Sequence, residues 1–241
     1  MKTVFVIPVY EGDSIGFDVS VESIRTNLFD LNPVIIAVCD PRSDWHPTSS
    51  DAHVVGPPVH RNIRGMAWIK AFHRVILECL DKTQATHLIK TDADVLWMNN
   101  RLSDKMKFRS FGFMRYKGHM EPAHWMGMGY GWQADHYRSI HKQWVSENMY
   151  DHISDHDGAA EDVSTFLLTH MIDPDIAPLP GAFGINWNEV SERRIKASTA
   201  VHCGQNYSAR WRGAKPVQRA LMNEAMLKLW NATQLIPGQQ L

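Results

Sequence analysis

Apolar and polar positions follow a repeating order over the first hundred residues. "TVFVIPVY" (3–10) is an almost unbroken apolar run, rich in β-branched side chains, with Pro8 marking its end. Such a run predicts a strand buried on both faces. Residues 14 to 29 then place Ile15, Val19, Ile24 and Leu28 at loosely helical spacing. "PVIIAVCD" is a second buried strand, stopping at Asp40 before the turn-rich tract "DPRSDWHPTSSD". After Gly65, the segment "MAWIKAFHRVILECL" sets Met66, Ile69, Phe72, Ile76 and Cys79 on one helical stripe. "HLIKT" is a third strand, leading into Asp92.

Strand, helix, strand, helix, strand predicts an α/β fold with a mostly parallel central sheet flanked by helices. Ligands of such sheets bind at the carboxyl ends of the strands. Tyr10 to Asp13, Asp40, and Asp92 to Asp94 all fall at such ends, so they are expected to converge on one crevice. In the second half, "SFGFMRY" predicts a strand and "HWMGMGYGWQ" a glycine-aromatic loop. Helices are expected over 134–147 and 161–171, the latter opening with Glu161 and Asp162, acids that suit a helix N-terminus. "TAVHCG" is a short strand ending at His202, and a last helix covers roughly 216–230. No repeat or linker interrupts the chain. The expectation is one domain over 1–241, with a nucleotide-binding half (1–100) and a more variable half (101–241).

Composition narrows the function classes. Of 241 residues, 44% are apolar and 21% charged, and the formal net charge is -1. That is a globular composition with no global field to attract nucleic acid or an acidic membrane. Basic residues do gather locally, in Lys105, Lys107, Arg109, Arg115 and Lys117 and again in Arg210, Arg212 and Lys215, for which a solvated face is the default reading. Three widely spaced cysteines, with no C-x-x-C, indicate neither a disulfide framework nor a thiolate zinc site. No segment reaches the ~20 apolar residues that span a bilayer, and "VFVIPVY" is too short for a signal core. A cytoplasmic protein without stable membrane insertion is the expectation.

The chemistry concentrates in "HLIKTDADVLWMN" (87–99). Asp92 and Asp94 bring two carboxylates together in apolar company, where one would gain a proton unless a cation sits beside them. Magnesium or manganese resolves this, since both prefer oxygen ligands and share their coordination with phosphate. Lys90 and Thr91 read only as the last residues of the strand.

Together with "VFVIPVYEGD", Asp40 and "GAAEDVSTFLLTH", this segment resembles the GT-A glycosyltransferases, most closely the inverting family 2 enzymes that use nucleotide sugars. The four motifs occur in that family's order over roughly residues 1 to 175. The resemblance implies a single GT-A, Rossmann-like domain and a transfer of sugar from a nucleotide-sugar donor to an acceptor hydroxyl. It implies that Pro8, Val9, Tyr10 and Glu11 line the nucleoside pocket, with Asp40 on the base. Asp92 and Ala93 would contact the donor diphosphate, Asp92 and Asp94 would hold Mn2+ or Mg2+, and His202 would be a further metal ligand. Asp162 would be the catalytic base, with Glu161 beside it. Arg61 and Arg64 could reach the diphosphate, since guanidinium forks suit phosphate oxygens. The segment "YSARWRG" is only faintly like the family's Q-x-x-R-W signature, because Tyr207 stands where Gln is expected.

Acceptor contacts are expected from "HWMGMGYGWQ", with Trp125 and Trp132 as stacking platforms. A glycan, a small molecule or a hydroxymethylated DNA base would fit. The DNA option draws on the basic-aromatic run "KMKFRSFGFMRYKGH" and a flipped base. The polar run "DHISDHDG" (151–158) fails the EF-hand pattern and reads as a loop. Two alternatives remain. A phosphatase of the haloacid-dehalogenase type would use Asp92 as nucleophile, although Leu96 stands where its motif has Thr or Val. A non-catalytic nucleotide- or glycan-binding module would keep the fold but has no use for Asp162.

Overall fold

The computed structural model describes residues 1–9, 11–57, 66–117, 121–153, 161–184, 198–203 and 216–234. Strand β1 (Thr3–Val9) is followed by helix α1 (Ser14–Asn27), β2 (Pro33–Cys39) and β3 (Ala52–Val55). Helix α2 (Met66–Thr83), β4 (His87–Lys90) and β5 (Val95–Trp97) complete the first half. The second half contains β6 (Ser110–Lys117), β7 (Glu121–Gln133), α3 (Ala134–Ser146), α4 (Met149–Ile153) and α5 (Glu161–Ile172). Strands β8 (Ile176–Pro178), β9 (Ala182–Gly184) and β10 (Ala200–His202) and helix α6 (Pro216–Gln234) end the described chain.

The main sheet has seven strands in the order β3-β2-β1-β4-β7-β6-β8. Strands β1 to β4 are mutually parallel. β7 runs against both its neighbours, and β6 and β8 resume the direction of β1. A mostly parallel α/β sheet is therefore present, as the alternation of apolar runs and helical stripes predicts.

Strand β1 shows why its sequence is apolar without alternation. Val4 and Val6 face one core, against Ile69, Phe72 and Ile76 of α2. Phe5, Ile7 and Val9 face another, against Phe17, Val21 and Ile24 of α1. Both faces of the strand are covered, so neither residue parity can be polar; each such aliphatic side chain gains about 1.5–3 kcal/mol from burial. No helix among the described residues is long and apolar enough to cross a membrane.

Two expectations are corrected. "HWMGMGYGWQ" is not a loop but most of β7, paired with β4 on one edge and β6 on the other. Its glycines are there because neighbouring groups occupy the space of a side chain: a Cβ on Gly131 would lie 2.2 Å from the Leu88 carbonyl oxygen and 2.9 Å from the Phe111 ring. Trp125 and Trp132 are consequently not acceptor platforms. Both are fully buried, Trp125 stacking on Tyr130 at 4.7 Å and meeting Trp132 edge-on at 5.2 Å. The short strands β3, β5, β8 and β9 also escape the sequence pattern.

A second sheet, β5-β10-β9, completes the frame of the site. Strand β5 starts directly after the Asp92–Asp94 turn, and β10 pairs with it antiparallel, so that His202 lies opposite Val95. Met226, Leu229 and Trp230 of α6 cover this small sheet by packing on Leu96 and Val201.

Candidate active site

The carboxyl ends of β1, β2 and β4 lie side by side. Val9 pairs with Cys39, and the backbone N–H of Thr91 donates to the Val6 carbonyl at 3.2 Å. Asp40 and Asp92 therefore emerge on the same edge of the sheet. His202 arrives there because β10 ends where β5 begins; the Cys203 N–H donates to the Asp94 carbonyl at 2.8 Å. One ligand atom from each of Asp92, Asp94 and His202 falls within 4.8 Å of the others. His202 Nε2 is 3.2 Å from Asp94 Oδ1. Burial works against the charged imidazole, but the Asp94 and Asp92 carboxylates together outweigh it and raise its pKa. Two carboxylates and an imidazole at this spacing fit a divalent ion such as Mn2+ or Mg2+, and the group is the only one of its kind among the described residues.

The acids at the start of α5 reach the same place through β7. Lys90 pairs with Tyr130 across β4 and β7, so Gly127 lies farther along, past the end of β4. The Gly127 N–H donates to Asp162 Oδ2 at 2.9 Å, and the Val163 N–H donates to Asp162 Oδ1 at 2.9 Å. A Cβ on Gly127 would stand 2.7 Å from Asp92 Oδ2 and 3.7 Å from Asp162 Oδ2. One residue without a side chain thus separates the Asp92 carboxylate from the predicted base.

Sequence reasoning missed Lys90. Its ammonium is only 4% exposed, lying 2.6 Å from Asp92 Oδ1 and 3.1 Å from Glu161 Oε2. Burial disfavours its charge, but Asp92 and Glu161 outweigh burial and raise its pKa. Glu161 in turn accepts hydrogen bonds from the Tyr130 hydroxyl and, at 3.3 Å, from Thr165 Oγ1. Burial pushes the Glu161 carboxyl up to about 7, against the pull of Lys90. Breaking one partner of a buried ion pair costs about 3–5 kcal/mol, because the other charge is left uncompensated. An apolar approach to a buried Lys is the one signal the sequence held, since Lys is almost never fully buried without a partner.

The remaining predicted residues are placed as follows. Asp40 is buried, and Arg42 of its own turn grips both of its oxygens, with Nε at 2.8 Å from Oδ1. Pro8 is half-buried, and the side chains of Val9 and Ala93 pack into the core under α1. Tyr10, Arg61, Arg64 and the side chain of Glu11 lie outside the described residues, as do residues 154–158 of "DHISDHDG" and the whole of "YSARWRG".

Comparison with known proteins identifies this architecture. No protein-family model matches the chain, and no curated protein is significantly similar to it. Solved structures do match. A galactosyltransferase, LgtC, in complex with donor and acceptor sugar analogs superposes with a TM-score of 0.54 at 10% identity, over 98% of each chain. An active-site mutant of LgtC gives 0.53 at 11%, again over 98% of each chain. A glycosyltransferase involved in the glycosylation of the major capsid of PBCV-1 gives 0.53 at 9%, covering 94% of this chain and all of that one. The fold is GT-A. At these identities the likeness concerns the fold, and chemistry has to be argued from the residues.

Proposed function

We propose that the protein is a metal-dependent glycosyltransferase that moves a sugar from a nucleotide-sugar donor to an acceptor hydroxyl with inversion at the anomeric carbon. The observation that carries this reading is the meeting of two sets of groups at one sheet edge: Asp92, Asp94 and His202 on one side of Gly127, and Asp162 on the other. A divalent ion held by Asp92, Asp94 and His202, Mn2+ or Mg2+, would supply charge neutralisation for the departing diphosphate.

The chain's own groups do the rest. Asp162 takes the proton of the acceptor hydroxyl as its oxygen bonds to the anomeric carbon and the bond from that carbon to the phosphate oxygen breaks. The N–H groups of Gly127 and Val163 hold the carboxylate in a single orientation. General-base assistance of this kind contributes about 10²–10⁴-fold. At the donor end, Pro8, Val9 and Asp40 mark the edge where the nucleoside binds, with Tyr10, Glu11, Arg61 and Arg64 expected to complete it and Ala93 to offer its backbone to the diphosphate. Three buried free thiols suit a reducing, cytoplasmic setting.

A glycan or another sugar-bearing small molecule is the acceptor that this reading favours, in line with the sugar analogs bound by LgtC. Modified DNA draws nothing from the sugar analogs, and only part of the basic-aromatic run is remote from the site. Lys105 and Lys107 lie just before β6, near the start of β4: His87 Nε2 is 2.9 Å from the Met106 carbonyl and Gln133 bonds the Lys107 carbonyl. That is the end of the sheet away from Asp92, whereas Arg115 and Lys117 close β6 toward the Asp92 edge. The phosphatase alternative needs its nucleophile after the earliest strand, whereas Asp92 follows β4.

Asp162→Asn tests the assignment. Transfer is expected to fall at least a hundredfold while donor affinity in the presence of manganese stays within about twofold. Turnover near the wild-type rate in this variant would overturn Asp162 as the base.

A further inference from the structure

Lys90 has no part in the chemistry above, yet it stands at its centre. Its ammonium reaches Asp92 Oδ1 at 2.6 Å, Glu161 Oε2 at 3.1 Å and the Gly127 carbonyl at 3.5 Å, and it sits 5.4 Å above the Tyr130 ring. The three oxygens belong to three elements: the turn after β4, the first residue of α5 and the middle of β7. Behind Glu161 the contacts continue inward. Thr165 Oγ1 donates to Glu161, His73 Nε2 is 3.0 Å from Thr165 Oγ1, and His73 Nδ1 is 2.9 Å from the Tyr150 hydroxyl. His73, Thr165 and Lys90 are all buried, so the end of this chain that holds Lys90 is anchored in the core rather than in solvent.

From this geometry we infer that Lys90 is a positioning residue: through Glu161 it braces the Asp92 carboxylate against the buried His73–Thr165 pair, fixing its aim toward the metal. The inference rests on the metal-site reading above. Ordinary electrostatics predicts the reverse of what a brace predicts. A cation beside a metal site repels the metal, so removing the cation alone tightens binding. Groups that orient metal ligands from behind behave differently, and their loss typically weakens metal affinity by about 10–100-fold.

The test compares Glu161→Gln with the double variant Lys90→Met, Glu161→Gln, in the full chain. The double variant removes both buried charges, so it avoids the unfolding that Lys90→Met alone invites by stranding Glu161. Manganese binding is titrated by the electron paramagnetic resonance signal of the free ion, with no donor or acceptor present, and melting is followed by circular dichroism. The expected result is a double variant that melts within a few degrees of Glu161→Gln and binds manganese about tenfold more weakly. Equal or tighter binding would show that Lys90 is a counterion and overturn the brace, as would a double variant that fails to fold. Wild-type protein that binds no manganese would overturn the metal site itself, and the brace with it.

Discussion

At the scale of single residues the site turns on groups of very different legibility. Asp92 and Asp94 were readable because paired carboxylates in apolar company are costly without a cation, His202 only through the family resemblance, and the structure brings the three within 4.8 Å of one another. Lys90 was not readable: a Lys at the end of a strand is ordinarily solvated, and only the tertiary approach of Glu161 makes it internal. Gly127 was hidden for a different reason, since one of four glycines between 127 and 158 has nothing in its neighbours to distinguish it. It makes a sharp prediction. Gly127→Ala places a methyl group 2.7 Å from Asp92 Oδ2. Asp92 is one-third exposed and can swing aside, so stability should change by no more than about 1–2 kcal/mol. Manganese affinity should fall roughly tenfold or more, because the carboxylate leaves its aim. Parallel melting and manganese titration check both halves, and unaltered affinity would show that Asp92 does not depend on this close approach.

At the scale of elements, periodicity succeeded where one rule governs a segment. The stripe Ile69, Phe72, Ile76 and Cys79 is the buried face of α2, and Glu161 and Asp162 do open α5. It failed where tertiary contacts decide. β7 carries its glycines to admit rings and carbonyls from adjacent strands, a demand invisible in its own sequence, so it read as a loop. The junction of α2, α4 and α5 carries a pH prediction. His73 of α2 bonds Tyr150 of α4 and Thr165 of α5, and burial, aided by His141, holds its pKa down to about 3 from an ordinary 6.5. The fold keeps this ring neutral, whereas the unfolded chain protonates it near 6.5, so below that pH the unfolded state binds the extra proton. Stability from His73 is therefore complete above pH 6.5 and is lost as pH falls toward 3, by about 5 kcal/mol at most. His73→Gln should lower stability at pH 7.5 by about 1–3 kcal/mol through its buried hydrogen bonds. It should also flatten the decline between pH 6.5 and 5, as read by denaturant unfolding. An equally steep decline in the variant would assign the acid sensitivity elsewhere.

At the scale of the whole molecule, the sheet order β3-β2-β1-β4-β7-β6-β8 explains why distant motifs meet. Parallel strands β1, β2 and β4 carry Asp40 and Asp92 to one edge. Antiparallel β7 brings α5 to the same edge, and β10 returns His202 beside β5. The order of motifs and strand β10 were legible in the chain; its partners β5 and β9 in the second sheet were not, because strands of three residues leave no periodic trace. The same layout sets Lys105 and Lys107 flanking Phe108 at the opposite end. Replacing both with Ser is accordingly expected to leave turnover within about twofold, since screened surface charges at that range act weakly. A large loss in a kinetic assay would place acceptor binding at that end after all.

The central claim is that the acidic edge binds a nucleotide sugar through a divalent ion, and thermal-shift screening of the wild-type chain against nucleotide sugars with and without manganese tests it most directly. A ligand present at a hundred times its Kd stabilises by about 2.7 kcal/mol, enough to move the melting temperature by several degrees. The account predicts such a shift for one donor only when manganese is present, and its disappearance in Asp92→Asn with Asp94→Asn. A shift that is the same without metal, or that survives the loss of both carboxylates, would contradict it.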